Sequence, residues 1–181
     1  MKDKITYHAL RLFDQHGFHG ATLRDIYTAA GCKMPTIYYY FENKEDLFDK
    51  VVRVQFEELI ERLGNEIPKD LSFEEACVYR IKQKKILSEN DRLVYRLAIK
   101  TWLGFEGCEM SRQKLLLWEQ ERYHQNRVEY AEITSSMLWI KFITRSITNM
   151  IQRILLLDEN PTDEEIREEI SMILEVASQK K

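Results

Sequence analysis

An all-α fold is predicted by three features of the sequence. Apolar residues recur at three- and four-residue steps along nearly the whole chain, and no period-two alternation of the kind a half-buried strand needs is present. Six Gly and three Pro in 181 residues leave long stretches without the punctuation that turn-dense β folds require. Hydrophobic residues at 44% against 31% charged supply enough apolar mass for a packed core rather than a disordered coil.

The elements follow in order. Ile5, Ala9, Leu12 and Phe13 form one buried stripe of a first helix, which Gly17 and Gly20 end. Thr22 followed by Asp25 has the form of a capping box and opens a short second helix with Leu23, Ile26 and Ala30 inward, stopped by Gly31. A third short helix begins near Lys33 to Pro35, where proline is tolerated in a first turn, and runs to about Tyr40; Phe41-Glu42-Asn43 breaks it. From Lys44 the stripe Phe48, Val52, Phe56, Leu59 and Leu63 continues for about five turns and ends between Gly64 and Pro68.

Ser72 with Glu75 is a second capping box, opening a helix through Phe73, Cys77 and Ile81 to about Leu87, with Ser88 to Asp91 as a loop. Helices from Asp91 to Phe105 and from Ser111 to about Arg127 are separated by Gly104 and Gly107. The segment Ile133 to Leu157 is apolar around much of its circumference, with a narrow polar stripe through Lys141, Arg145, Thr148 and Gln152, so it is expected to be buried on two sides. Pro161-Thr162 with Glu165 starts a last helix with Ile166, Ile170, Ile173 and Leu174 inward and a glutamate-rich first turn that suits the helix dipole.

Composition excludes several kinds of function. Cys32, Cys77 and Cys108 are odd in number and lack C-x-x-C spacing, which argues against a disulfide framework and a thiolate zinc site. His8, His16, His19 and His124 form no triad with a nucleophile, and Glu121-x-x-His124 is a single copy of a motif that di-iron sites need twice. No phosphate-cradling glycine loop or nucleophile elbow is present, so no catalytic residue, metal or cofactor is expected. Apolar runs such as Ile154 to Leu157 are only four residues long and the first residues lack a signal-peptide core, so a cytoplasmic protein without membrane association is expected. A net charge of −3 argues against indiscriminate coating of nucleic acid and leaves room for a small local reading surface.

The second and third helices provide such a surface. Ile26, Ala30, Cys32 and Ile37 face inward and lock the pair together, leaving Lys33, Met34, Pro35, Thr36, Tyr39 and Tyr40 outward, in the layout of a helix-turn-helix. Ala21-Thr22-Leu23-Arg24-Asp25-Ile26, Ala29-Ala30-Gly31, the run Pro35 to Phe41 and Asn43-Lys44-Glu45-Asp46-Leu47 resemble the tetracycline-repressor (TetR) family of bacterial transcriptional regulators, over roughly residues 5 to 50.

The resemblance implies a helix-turn-helix domain over residues 1–47 and a helical ligand-binding and dimerisation domain over 48–181. It implies a homodimer on double-stranded, pseudo-palindromic operator DNA, with the helix from Lys33 to Tyr40 of each subunit in one major groove. Thr22, Tyr38, Tyr40 and Lys44 match positions that contact phosphates in the family. Arg24, Met34, Pro35, Thr36 and Tyr39 match positions at or beside base edges, and Lys33 can add a bond to guanine. Two positions depart from the family pattern: Tyr27 stands where alanine is usual, and Lys33 where a Ser or Thr commonly caps the helix. From Ala21 to Lys44 the charge is only +1, so affinity has to come from directed contacts rather than bulk attraction.

The resemblance also implies that the central helices enclose a small apolar or aromatic inducer, with Tyr79, Tyr95, Trp102, Phe105, Trp118, Tyr123, Trp139 and Phe142 as candidate lining, each of which can equally be core. Repression released by inducer is the family default. Ile147 and Ile151, beside Ile166, Ile170 and Leu174, suit a two-plus-two helix interface between subunits. The competing reading is a helical interaction module or enzyme that does not bind DNA and uses Tyr38 to Tyr40 to recognise a peptide or ligand.

Overall fold

The computed structural model describes residues 1–105, 107–131 and 133–178, and every regular element among them is helical. Ten α-helices follow one another: α1 (Lys2–Gly20), α2 (Leu23–Ala29), α3 (Met34–Tyr40), α4 (Lys44–Asp49), α5 (Gln55–Asn65), α6 (Phe73–Lys85), α7 (Glu89–Leu103), α8 (Glu109–Asn126), α9 (Met137–Leu156) and α10 (Asp163–Ser178). A π-helical turn, Lys50–Val54, joins α4 to α5. The stripe expected from Lys44 onward is therefore continuous, but one of its turns is wider than periodicity alone foresees.

All three boxes read from sequence form. The Thr22 hydroxyl accepts from the Asp25 amide at 3.1 Å while the Asp25 carboxylate accepts from the Thr22 amide at 3.2 Å. Ser72 with Glu75 and Thr162 with Glu165 repeat the arrangement at the starts of α6 and α10. Gly17 breaks α1 with φ 70° and ψ 172°, yet a further turn carries the helix to Gly20.

Two compact units arise. The first combines Met1–Ile60 with Glu89–Leu117. Its centre is aromatic: Phe48 lies edge-on to Phe13 and Phe18, with ring centres 4.9 and 5.2 Å apart. Ile5, Ala9, Ile26, Ile37 and Leu47 close around it, all without solvent exposure. Helix α7 joins this unit because Tyr95 packs edge-on to Phe56 at 5.0 Å and because Thr101, fully buried, faces the α7–α8 turn. There Gly107 has φ 93°, and a Cβ on it would lie 2.7 Å from the Thr101 hydroxyl and 3.0 Å from Phe48 Cε1. Only glycine fits that approach without displacing its neighbours.

Asp49, 4% exposed, is an ionic centre in the same unit. Its carboxylate accepts two bonds from Arg53 at 2.8 Å each, one from Lys114 at 3.0 Å and one from Ser111 at 3.0 Å. Burial pushes its pKa up, but the bonds from Arg53, Lys114 and Ser111 and the charge on Arg53 outweigh burial and hold it below the usual aspartate value.

The second unit combines Glu61–Ser88 with Trp118–Lys181. In it α6, α9 and α10 pack on one another through Cys77, Ile81, Ile140, Ile143, Ile154 and Leu155, each 2% exposed or less. Helix α9 starts at Met137 rather than Ile133, after a turn in which buried Thr134 accepts from the Ser136 amide at 3.2 Å. Of the five residues expected at a subunit interface, Ile166 and Ile170 have no exposed surface in the single chain, and Ile147, Ile151 and Leu174 have 6–8%. The apolar residues that α9 and α10 leave in solvent are Leu138, Phe142, Met172 and Val176.

Candidate nucleic-acid interface

The turn between α2 and α3 is set by the backbone. Gly31 takes φ 66°, and the Cys32 amide donates back to the Tyr27 carbonyl at 2.9 Å. Ala30 and Ile26 are buried beneath it, whereas Cys32 is only half-buried. Helix α3 has no side-chain cap at Lys33. Instead the Lys33 carbonyl accepts from the Thr36 amide at 2.9 Å, and Pro35 in the first turn has no donor to satisfy. Lys33 is thereby left extended and exposed rather than bent back onto its helix.

Ile37 anchors α3, with no exposed surface, and the remainder of this seven-residue helix turns outward. Tyr39 is 80% exposed and Tyr38 55%, while Pro35 is exposed and Met34, Thr36 and Tyr40 are half-buried. The Tyr39 and Tyr40 rings meet edge-to-face at 4.8 Å, which fixes their relative orientation. Arg24, Lys33, Tyr38 and Tyr39 have no hydrogen-bond or ion-pair partner among the described residues. Thr22 is different: its hydroxyl is committed to the cap, also donating to the Asp25 carboxylate at 2.6 Å, which lowers the Asp25 pKa. Asn43 caps α4 by accepting from the Asp46 amide at 2.7 Å. Lys44, the first residue of α4, lies half-buried with its ammonium 4.6 Å from the Phe18 ring centre; burial lowers its pKa, against the field of Glu45. The ten residues expected to touch DNA thus fall within α2, α3 and the residues that begin α2, α3 and α4. Thr22, Arg24, Lys33, Pro35, Tyr38 and Tyr39 among them are open to solvent.

The candidate ligand residues are not gathered in one unit. Tyr95, Trp102 and Phe105 belong to the first, Tyr79, Trp118, Tyr123 and Trp139 to the second. Tyr95 is core. Phe105, 76% exposed, borders an open cleft of about 390 Å³ with His19, Leu103, Gly107, Cys108 and Arg112. Tyr123 is buried and donates to Glu119 at 2.7 Å, Trp118 stacks under Arg122, and Trp139 meets Phe142 edge-on at 5.5 Å. Two polar residues that periodicity did not single out, Asp49 and Lys84, are buried at 4% exposure each. Asp49 was accessible to sequence reading as one member of an i, i+4 pair with Arg53 inside an apolar run; Lys84 carried no such signal.

A short helix held off a small aromatic core by one buried isoleucine, with its polar and aromatic side chains unspent, defines a helix-turn-helix protein. Residues 5–51 match the model of the bacterial regulatory proteins of the tetR family. The biofilm operon icaADBC HTH-type negative transcriptional regulator IcaR of Staphylococcus epidermidis is 40% identical over 63 residues, 35% of this chain and 34% of that protein. Its counterpart from Staphylococcus aureus is 37% identical over 59 residues, 33% and 32% of the two chains. The chain thus spans about a third of the length of the curated relatives it matches. Among solved structures, a TetR-like transcriptional regulator from Rhodococcus superposes with a TM-score of 0.72 at 13% identity, covering 99% of this chain and 96% of that one. The transcriptional regulator FadR from Bacillus subtilis, in complex with stearoyl-CoA, gives 0.68 at 20% identity over the whole of both chains. At these identities the likeness is one of fold. Among the described residues no helix is long and apolar enough to cross a membrane.

Proposed function

We propose that this chain is a ligand-responsive transcriptional regulator, a repressor that binds a pseudo-palindromic operator as a homodimer and is released by a small molecule. The observation that carries this reading is the outward face of α3 with Arg24 beside it, four of whose polar side chains have no partner within the protein's described residues. Arg24, Lys33, Met34, Pro35, Thr36 and Tyr39 are assigned to base edges, and Tyr38, Tyr40 and Lys44 to phosphates. Thr22 acts through its capped helix start, since its hydroxyl is engaged.

The negative regulators related to the amino-terminal third support repression. The aromatic residues Tyr79, Trp118, Tyr123 and Trp139 of the second unit support a ligand site there, and the acyl-CoA bound by the FadR neighbour is consistent with a fold that accepts small molecules. The dimer is assigned to the outward apolar residues of α9 and α10, Leu138, Phe142, Met172 and Val176. Inducer then shifts a pre-existing equilibrium between two spacings of the recognition helices, for which it has to discriminate them by a few kcal/mol.

Selection of genomic fragments on the immobilised protein, followed by gel shift on the enriched sequence, tests the proposal. A two-fold symmetric site bound with strong salt dependence is expected. Retention without sequence preference would defeat it.

A further inference from the structure

The open cleft at the α7–α8 turn holds a donor that the protein leaves unanswered. Arg112, one turn into α8, lines it, and the buried Nε of its guanidinium has no hydrogen-bond partner among the described residues. Only Nη1 is engaged, donating to the Glu109 carboxylate at 3.4 Å, and that oxygen also accepts from the Gln113 amide. The Glu109 side chain is 67% exposed, so water screens the pair and it holds the guanidinium weakly. The other edge of the guanidinium carries Nε and Nη2, two parallel donors that a carboxylate takes side by side, and none of the described residues uses it. Gly104 keeps that edge clear. It has φ 82°, and a Cβ on it would stand 3.3 Å from Nε, in the space an acceptor oxygen needs.

The rim of the cleft is apolar. Phe105 is 76% exposed and Leu103 38%, a ring and an aliphatic side chain both turned to solvent. A volume of about 390 Å³ is near the lower end of the ~300–1,000 Å³ that ligand clefts enclose, which suits an occupant of one or two rings. Glu109, on the same rim, begins the 18-residue α8, so the positive end of that helix adds attraction for negative charge. We infer that this cleft binds a small aromatic carboxylic acid, with its carboxylate on Nε and Nη2 of Arg112 and its ring against Phe105 and Leu103. The site is built wholly from the first unit and uses none of the aromatic residues of the second. The inference rests on the ligand-responsive reading above and narrows it to an acid whose seat includes Gly107, the glycine that abuts Phe48 beneath the helix-turn-helix.

The test is calorimetric titration of the full chain with benzoate, phenylacetate and naphthoate and with the primary amides of the same acids. At least one acid is expected to bind tenfold or more tighter than its amide. Arg112→Gln is expected to abolish that preference, and Arg112→Lys, which keeps the charge without the paired donors, to lose most of it. Phe105→Ala is expected to weaken acid and amide alike, and this exposed ring can be removed even if changes at Arg112 disturb α8. Equal affinity of acid and amide in the wild type, an acid preference that survives Arg112→Gln, affinities untouched by Phe105→Ala, or absence of binding by every acid overturns the site. Gel shifts with the selected operator separate the two levels. An acid that binds through Arg112 without changing operator affinity leaves the site standing and defeats the ligand-responsive reading of it. Release of the operator by another molecule, with no acid bound, does the reverse.

Discussion

Ser111 donates its hydroxyl proton to the Asp49 carboxylate at 3.0 Å across 62 positions of sequence, tying the first turn of α8 to the end of α4. Both side chains are buried. Cys108 lies 3.1 Å from the same hydroxyl, so the α7–α8 turn, Ser111 and the end of α4 form one polar chain.

Asp49→Asn is expected to destabilise the protein by about 1–3 kcal/mol, because buried Asp49 gives up its charge-assisted bonds, although Arg53 keeps Glu57 and Lys114 reaches solvent. Ser111→Ala removes one bond and costs about 1 kcal/mol. Urea denaturation measures both. The sign of the pH dependence follows from the lowered Asp49 pKa: its contribution is complete above the unfolded value near 3.8 and is lost as pH falls through the lower, folded value. Equal acid stability of wild type and Asp49→Asn would contradict this.

Gly107→Ala combines a left-handed backbone with a collision against Thr101 and Phe48. A loss of about 2–3 kcal/mol is expected, visible as a fall in thermal midpoint. Gly64, with open space around it, is the control, and alanine there is expected to be tolerated. A midpoint unchanged by Gly107→Ala would mean that the turn yields.

Lys44→Ala and Tyr38→Phe are expected to weaken binding to all DNA sequences alike. Lys44→Ala lowers the salt slope by about one per subunit. Thr36→Ala and Met34→Ala should instead alter preference at particular base pairs, by about 1–3 kcal/mol per position. Parallel salt titrations by gel shift distinguish the two groups, and identical slopes for Lys44→Ala and wild type would remove that lysine from the phosphate set.

Lys84→Met is expected to raise stability at neutral pH. With the folded pKa near 8 instead of 10.5, the charged lysine costs about 3 kcal/mol at 1.36 kcal/mol per pH unit. The unfolded chain binds more protons between those two values, so wild-type stability rises with pH from about 8 to 10.5 and the variant's advantage shrinks over the same window. Denaturation at pH 7 and pH 10 checks it; a variant less stable than wild type at pH 7 would show that the ammonium is satisfied.

Phe142→Glu places a charge on the proposed subunit surface, where the native ring is 42% exposed in the single chain. A monomer of unchanged helix content, with operator affinity reduced at least tenfold, is expected by light scattering, circular dichroism and gel shift. A dimer that persists would move the interface elsewhere.

The parts of this molecule legible in its sequence are those decided within a few residues. The capping pairs at Thr22, Ser72 and Thr162 each close over three positions, and the burial of Ile26 and Ile37 follows from helix period alone. The exposure of Lys33, Pro35, Tyr38 and Tyr39 around buried Ile37 was legible for the same reason. The π turn was not, since a wider turn shifts the apolar stripe by less than one residue. Ile147, Ile151, Ile166, Ile170 and Leu174 show a deeper limit: periodicity says that a side chain is buried, not whether its own chain or a partner buries it. Contacts such as Asp49 with Ser111 and Lys114 depend on where a helix 60 positions away arrives, and Lys84 on a burial that its residue type argues against.

The approach of Gly107 to Phe48 leaves no play in that joint. A missing methyl group is all the clearance there is, and densely filled interiors pass a push onward instead of absorbing it. Whatever shifts the turn after Leu103 has to carry the Phe13–Phe18–Phe48 cluster with it, so the floor beneath the helix-turn-helix and the far end of α7 travel as a single piece.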